Sequence, residues 1–457
     1  MRIINAAHLL AVMSLATQAS MAQDSLDIKY KGAGWLQVGR IMHSTDSLVN
    51  AGAPNNINGN WVQAAGVQLS SVAKFGPNWE GGMGMGALQT HNARGDVSVA
   101  NNWYPYWVTF VSEARLSYTR PVSETQKLQV NLGYFNYSYN PDTKDLGLYL
   151  LRGYAYPAAP ISGFEARHTT PAANIFGGMF SYTAGPIKED LLVISETENR
   201  PYFDISVADV VTWQMGTAFQ LGAGVNLYRV LPRNKKNNSP GRDCNNTPGT
   251  YAQIDPLDQQ ICFIQDTISW DSTTNTGKID TLFGTQSGTK LMGRFRFDPK
   301  PLFGWDGMGK QDLVLYGELG VFGLKNYRKY YNDIKRRMPV MIGLNLPAMG
   351  WLDKCSIELE YYASKNYSDY GKGEVYSSWV PRTAYDENNV SVDNSRDDIK
   401  WAFYFSKAVL GHLRLSGQVA NDHLRMFGPP EIGYLTYAEA LTTPKDWYWM
   451  FKSTYFF

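Results

Sequence analysis

Ten charged residues recur at every second position within apolar runs: Glu113, Arg115, Arg294, Arg296, Glu318, Glu358, Glu360, Lys400, Arg414 and Lys452. Carboxylates and cations so spaced share one face of an extended chain. On such a face they can line a polar passage and set a transverse field across it. They can equally pair across neighbouring strands and hold a wall together. Catalytic arrangements are harder to find. The histidines His8, His43, His91, His168, His412 and His423 are scattered, and no HExxH or CxxC pattern occurs. Asn421, Asp422 and His423 stand near Ser416, but a lone histidine is not a triad. The acidic stretch 385–398, with Asp386, Glu387, Asp393, Asp397 and Asp398, lacks EF-hand spacing. GGMGMG at 81–86 has no Lys-Ser/Thr after it, so it reads as small residues that let strands or side chains pack closely. The expectation is a protein that is not an enzyme and holds neither metal nor cofactor.

The elements that carry these residues follow period two. In YWVTFVSEARLSYT, Tyr106, Val108, Phe110, Ala114, Leu116 and Tyr118 share one face, and Thr109, Glu113, Arg115, Ser117 and Thr119 the other. The same split sets Leu128, Val130, Leu132 and Tyr134 against Gln129, Asn131 and Gly133. It sets Leu291, Phe295 and Phe297 against Lys290, Arg294 and Arg296, and Trp401, Phe403 and Phe405 against Lys400, Tyr404 and Ser406. In CSIELEYY it sets Cys355, Ile357, Leu359 and Tyr361 against Ser356, Glu358, Glu360 and Tyr362. These segments are about ten residues long, the length of a tilted membrane-crossing strand. Connections alternate between short (KFGPN, TRPVSETQ, AGPIKED, PAMGWLD, KAVLGH) and long: 43–59, 91–104, 140–171, 231–288, 365–396 and 422–445.

That rhythm predicts an all-β fold, a transmembrane antiparallel β-barrel of about 16 strands (about 14–18), with short periplasmic turns and long outer loops. The strands are expected near 28–42, 60–75, 79–90, 105–119, 126–139, 172–184, 187–196, 201–211, 213–230, 289–298, 311–324, 338–347, 354–364, 398–407, 411–421 and 446–457. Closure is obligatory because lipid offers a bare strand edge no hydrogen-bond partner. Since only alternate residues need be apolar, the mean hydropathy of −0.32 is compatible with membrane insertion. A net charge of +1 gives no field suited to nucleic acid.

The ends carry separate signals. MRIINAAHLLAVMSLATQASMA has Arg2, an apolar centre and small residues at Ser20 and Ala22, so residues 1–22 read as a signal peptide and 23–457 as one barrel domain. At the other end, in WYWMFKSTYFF, Trp447, Trp449, Phe451, Tyr455 and Phe457 share a face. This ending resembles the C-terminal insertion signal of Gram-negative outer-membrane barrels, whose last strand closes on an aromatic residue, usually Phe. The resemblance implies recognition by the barrel-insertion machinery, residence in the cell outer membrane among lipid and lipopolysaccharide, and, for porin-like members, passive diffusion of small polar solutes. It admits a homo-oligomer. In general porins the third outer loop folds into the lumen. The connection 140–171 holds that place and is amphipathic, with Asp145, Arg152, Glu165 and Arg167 beside Leu146, Leu148, Leu150 and Leu151. It lacks the family's Pro-Glu-Phe-Gly-Gly stretch, so inward folding and packing on the outer rim both stand. The basic stretch 326–337 reads as an outer loop that could meet lipopolysaccharide phosphates or simply be solvated. Cys244 and Cys262 share the long polar connection 231–288, where a bridge would restrain it. Cys355 reads as a buried free thiol. A large loop and an aromatic outer surface also allow a second reading, a barrel whose loops mediate adhesion or carbohydrate and fibre recognition.

Overall fold

The computed structural model describes residues 27–44, 47–50, 53–56, 58–92, 106–156, 173–197, 202–231, 250–254, 260–271, 276–282, 287–305, 307–327, 331–364, 385–386, 390–391, 399–425 and 439–457. Strands are numbered in chain order. Sixteen of them close into one antiparallel barrel. They are β1 (Asp27–His43), β4 (Trp61–Phe75), β5 (Trp79–Asn92), β6 (Tyr106–Pro121), β7 (Gln126–Tyr137), β8 (Ala173–Ala184), β9 (Ile187–Ser195) and β10 (Ile205–Met215). The ring continues through β11 (Phe219–Leu231), β15 (Gly288–Phe297), β16 (Leu315–Val321), β17 (Val340–Asn345), β18 (Lys354–Tyr361), β21 (Ile399–Val409), β22 (Leu413–Asn421) and β23 (Trp447–Phe456). Each pairs with its neighbour in the chain, and β1 closes the ring on β23, with Trp35 opposite Thr454 and Arg40 opposite Trp449.

Parity divides the wall. Leu36, Leu69, Leu116, Leu132, Phe180, Leu359 and Phe451 point outward and are exposed, while the residues beside them in sequence point inward. An apolar outer face running round the wall is stable where water is absent, and closure pairs every backbone edge. The buried apolar clusters lie inside. One gathers Phe135, Tyr137, Leu148, Leu150, Leu192 and Val210, and another Leu146, Tyr149, Tyr316, Phe322, Met341 and Tyr362.

The structure amends the expected layout in several places. The turn expected at residue 212 lies at 216–218, because alternation continues through Trp213 to Met215 before Gly216 (φ 61°) and the Gln214 amide close it. In β6, Glu113 pairs with Gly84 and Val111 with Met85, so Ser112 is an unpaired extra residue, a bulge. The bulge reverses parity. Val108 and Phe110 face inward against Trp35, Ala64 and Leu88, whereas Ala114 and Leu116 face outward. The single apolar face expected for 106–118 is therefore two half-faces. Cys355 stands half-buried on the outer face, with Ile357 and Leu359 exposed on the same parity. The long connections carry strands of their own: β2 (Ser47–Asn50) with β3 (Ala53–Asn56), a sheet of β12 (Thr250–Ile254), β13 (Gln260–Asp271) and β14 (Thr276–Leu282), and β19 (Tyr385–Asp386) with β20 (Val390–Ser391). A short helix, Lys300–Phe303, sits between β15 and β16. The expected leader, the Cys244–Cys262 bridge, the side chains of the acidic stretch 385–398, and Glu165 and Arg167 lie outside the described residues.

Candidate functional site

Carboxylates on the inner wall organise the site. Glu318, on β16, is buried and accepts four hydrogen bonds from the connection that follows β7. They come from Tyr139 Oη (2.6 Å), Asn140 Nδ2 (3.1 Å), Leu148 N (3.1 Å) and Tyr149 N (2.7 Å). Glu358, on β18, accepts from three successive amides, Lys144 N (2.7 Å), Asp145 N (2.9 Å) and Leu146 N (3.0 Å), and from Tyr316 Oη (2.9 Å). Consecutive N–H groups curled round an oxyanion form a nest, and here the protein supplies its own anion. On the same parity, Lys290 donates to Gly153 O (2.6 Å), Lys354 to Asp142 O (2.6 Å) and Asn226 to Leu150 O (3.0 Å). Residues 139–156 thus lie inside the barrel, held to the arc β11–β18. Their leucines explain why: Leu146, Leu148 and Leu150 are buried in the inner clusters, removed from water.

Gly147 (φ 83°) makes the turn that brings amides of both flanks to the wall, and Gly320 leaves room for the Tyr149 ring. The segment ends at Tyr156, which bonds Lys325 O and sits edge-on to Tyr327 and Tyr331. Arg337 fixes that rim. Buried, it donates to the carbonyls of Phe322, Gly323, Lys325 and Tyr331. Arg337 therefore faces protein, while Lys335 and Arg336 beside it keep contact with the outside, as a basic outer loop would.

Asp145 and Arg152, both on the inward segment, are buried. Neither Asp145 carboxylate oxygen has a hydrogen-bond partner. Burial pushes its pKa well up, and Asp422 and Glu358 push the same way against the opposing pull of Arg152.

All ten charged positions fall on the inner face, in three environments. Glu318, Glu358 and Glu360 are sealed beneath the inward segment, and Lys400 beneath the connection after β22. Arg294 is buried against Gln220 (2.8 Å) and Thr212 (3.0 Å), and Lys452 is buried beside the Trp35 ring. The others keep contact with water. Arg115 bonds Glu113 and Glu80 (2.6 Å to the latter), with side chains 20–31% exposed. Arg296 pairs with Asp142 at 3.1 Å, and Arg414 is exposed over the Phe456 ring.

Sequence reasoning passed over Lys290, Lys354 and Asn226 as anchors. Their signal was shared parity with Arg294, Glu358 and Gly224. It also passed over the connection after β22, whose described flanks turn inward. His423 lies between Glu360 Oε1 and Glu439 Oε1, each 2.7 Å away, and Lys400 Nζ donates to Leu441 O (2.7 Å). Burial lowers the His423 pKa, but Glu439 and Glu360 outweigh it and hold it at about 10. In the final strand Trp447, Trp449, Phe451 and Tyr455 face outward. Phe457 exchanges backbone bonds with Gly32 (2.7 and 3.0 Å) and lays its ring over that glycine.

The ring of paired strands with an inward connection defines the class, a closed antiparallel β-barrel of sixteen strands. No family model and no curated protein matches the chain. Among solved structures it matches a mutant of Rh. blastica porin, with a TM-score of 0.39 and 8% identity over 94% of this chain and 100% of that one. A triple mutant of Rhodopseudomonas blastica porin matches with a TM-score of 0.38 and 8% identity, over the same shares. A likeness at that level carries no argument, and the class rests on the strand pairing.

Proposed function

We propose that this protein is an outer-membrane, porin-like channel for passive diffusion of small polar solutes, narrowed by its first inward connection. In this reading residues 1–22 are removed as a leader, 23–457 form one barrel domain, and the aromatic ending at Phe457 is read by the insertion machinery. One observation carries the proposal. The bonds of segment 139–156 run to the arc β11–β18, while inner side chains on β5 and β6 (Glu80, Glu113 and Arg115) stay partly exposed to water. A barrel of sixteen strands is wide enough for a lumen that such a segment restricts without filling. The passage then runs off-axis, past a cation held between two carboxylates on one side and the Arg296–Asp142 pair on the other. Both signs of charge across a narrow way orient polar solutes and favour no strongly charged one.

The test is reconstitution of the mature protein into planar bilayers and sugar-loaded liposomes. Stepwise conductance with a size cut-off for neutral sugars is the expected result. A barrel folded in detergent that passes neither ions nor sugars removes the transport reading.

A further inference from the structure

We infer that Glu360 is a positioning residue that locks the described parts of two inward connections to each other, and that residues 422–425 and 439–446, which flank the connection after β22, form a second constriction of the same lumen. The inference rests on the channel reading. Its geometry is a buried chain of five groups. Tyr149 Oη, from the first connection, donates to Glu360 Oε2 at 2.5 Å. The other oxygen, Oε1, faces His423 Nε2 at 2.7 Å. His423 Nδ1 faces Glu439 Oε1 at 2.7 Å, and Glu439 Oε2 stands 3.2 Å from Lys400 Nζ. Signs alternate along the chain, and each oxygen of Glu360 serves one connection. Glu360 itself belongs to the wall, on β18 opposite Lys400 of β21.

The wall has been kept low to admit the second connection. Ala402 and Ala420 lie in the register row that runs from Glu358 to Tyr448. Leu424, Ala440 and Leu441 pack on those alanines with Ile41, Val62, Tyr448 and Met450. Lys400 adds its bond to Leu441 O, and Asp446 accepts the amides of Thr442 and Thr443, both at 3.0 Å. The described flanks 422–425 and 439–446 therefore fill the arc β21–β23 and β1–β4, which the first connection leaves clear. Because each connection also has anchors of its own, Glu360 sets their mutual position rather than the stability of the barrel. The titratable groups that face His423 are Glu360 from β18 and Glu439 from its own connection; Lys400 of β21 faces Glu439, Tyr149 of the first connection faces Glu360, and Asp422, next to His423 in the chain, accepts from Tyr448 of β23.

The experiment uses the full mature protein and two variants, Glu360→Gln and His423→Gln, with retained heat-modifiable gel mobility as the check on folding. Amide hydrogen exchange reads the lock directly. His423→Gln lies in the last connection, yet it is expected to speed exchange of the Leu148–Leu150 amides in the first by about tenfold, the size of a lost local contact. Conductance should rise in the wild type as the pH passes about 10 and His423 loses its proton. In His423→Gln it should stay raised, without that step. Unchanged exchange in the first connection, together with a wild-type pH profile in both variants, overturns the lock. Coupled exchange in a barrel that never conducts keeps the lock and removes the channel.

Discussion

Replacing Glu318 tests whether the first connection is held in the lumen by the wall. In Glu318→Ala the hydroxyl of Tyr139, the amide of Asn140 and the backbone N–H groups of Leu148 and Tyr149 lose their acceptor together. At about 1–3 kcal/mol for each buried donor left unsatisfied, the docked state loses at least about 4 kcal/mol. That shifts the docked-to-undocked ratio by about a thousandfold. Water can satisfy all four donors once the segment leaves the wall, so the cost appears as undocking rather than as barrel unfolding. Glu318→Gln keeps one oxygen and turns the other position into a donor, so it should lose about half as much. Single-channel conductance should rise in the order wild type, Gln, Ala, and the size cut-off for neutral sugars should widen in the same order. Equal conductance and cut-off in all three, in barrels of unchanged heat stability, would show that these four bonds do not hold a constriction.

Three further outcomes follow from other sites. Arg115→Gln removes the cation between Glu80 and Glu113, so the reversal potential in a salt gradient should move toward cation selectivity. Asp145 carries no hydrogen bond on either oxygen, and its folded pKa lies above its unfolded one. Native-state stability from the protonated form is then whole below about pH 3.8 and is lost as pH rises toward the folded value, so Asp145→Asn should raise the melting temperature at pH 7 and leave it unchanged at pH 3. Gly323 has φ 74°, and a side chain there would run into the Tyr156 ring. Gly323→Val should cost about 1–2 kcal/mol and speed proteolysis at the rim around Tyr156.

Strand count and order were legible because alternation is a direct imprint of a wall with oil on one side. Trp401, Phe403 and Phe405 against Lys400, Tyr404 and Ser406 could hardly be arranged otherwise. The Ser112 bulge was not legible, since VTFVSEARL alternates acceptably when read straight through, and only the partner strand reveals the extra residue. The inward turn of residues 139–156 was half legible. Four leucines made a water-facing loop costly, but inner wall and outer rim would bury them equally well. What decides between those places is a set of carboxylates more than 150 residues further along the chain, whose acceptor role no local pattern displays. The connection after β22 gave less warning: among its described residues the buried apolar side chains are Leu424, Ala440 and Leu441, and it relies on Glu439, which reads as an ordinary polar loop residue, and on His423, which stands out in the sequence only as a catalytic candidate.

Ser112 works in β6 as a frameshift does in a message. Every residue on one side of it keeps odd-for-oil spelling, and every residue on the other side keeps the reverse. Above it the strand turns rings toward the interior, and below it ions. A traveller along this stave therefore leaves a greasy vestibule for a charged one within a single ribbon. Pairing that serine straight through, with no bulge, would press either Phe110 and Val108, or Glu113 and Arg115, to the wrong side of the cylinder, whereas excising it would leave all four facing inward in unbroken alternation.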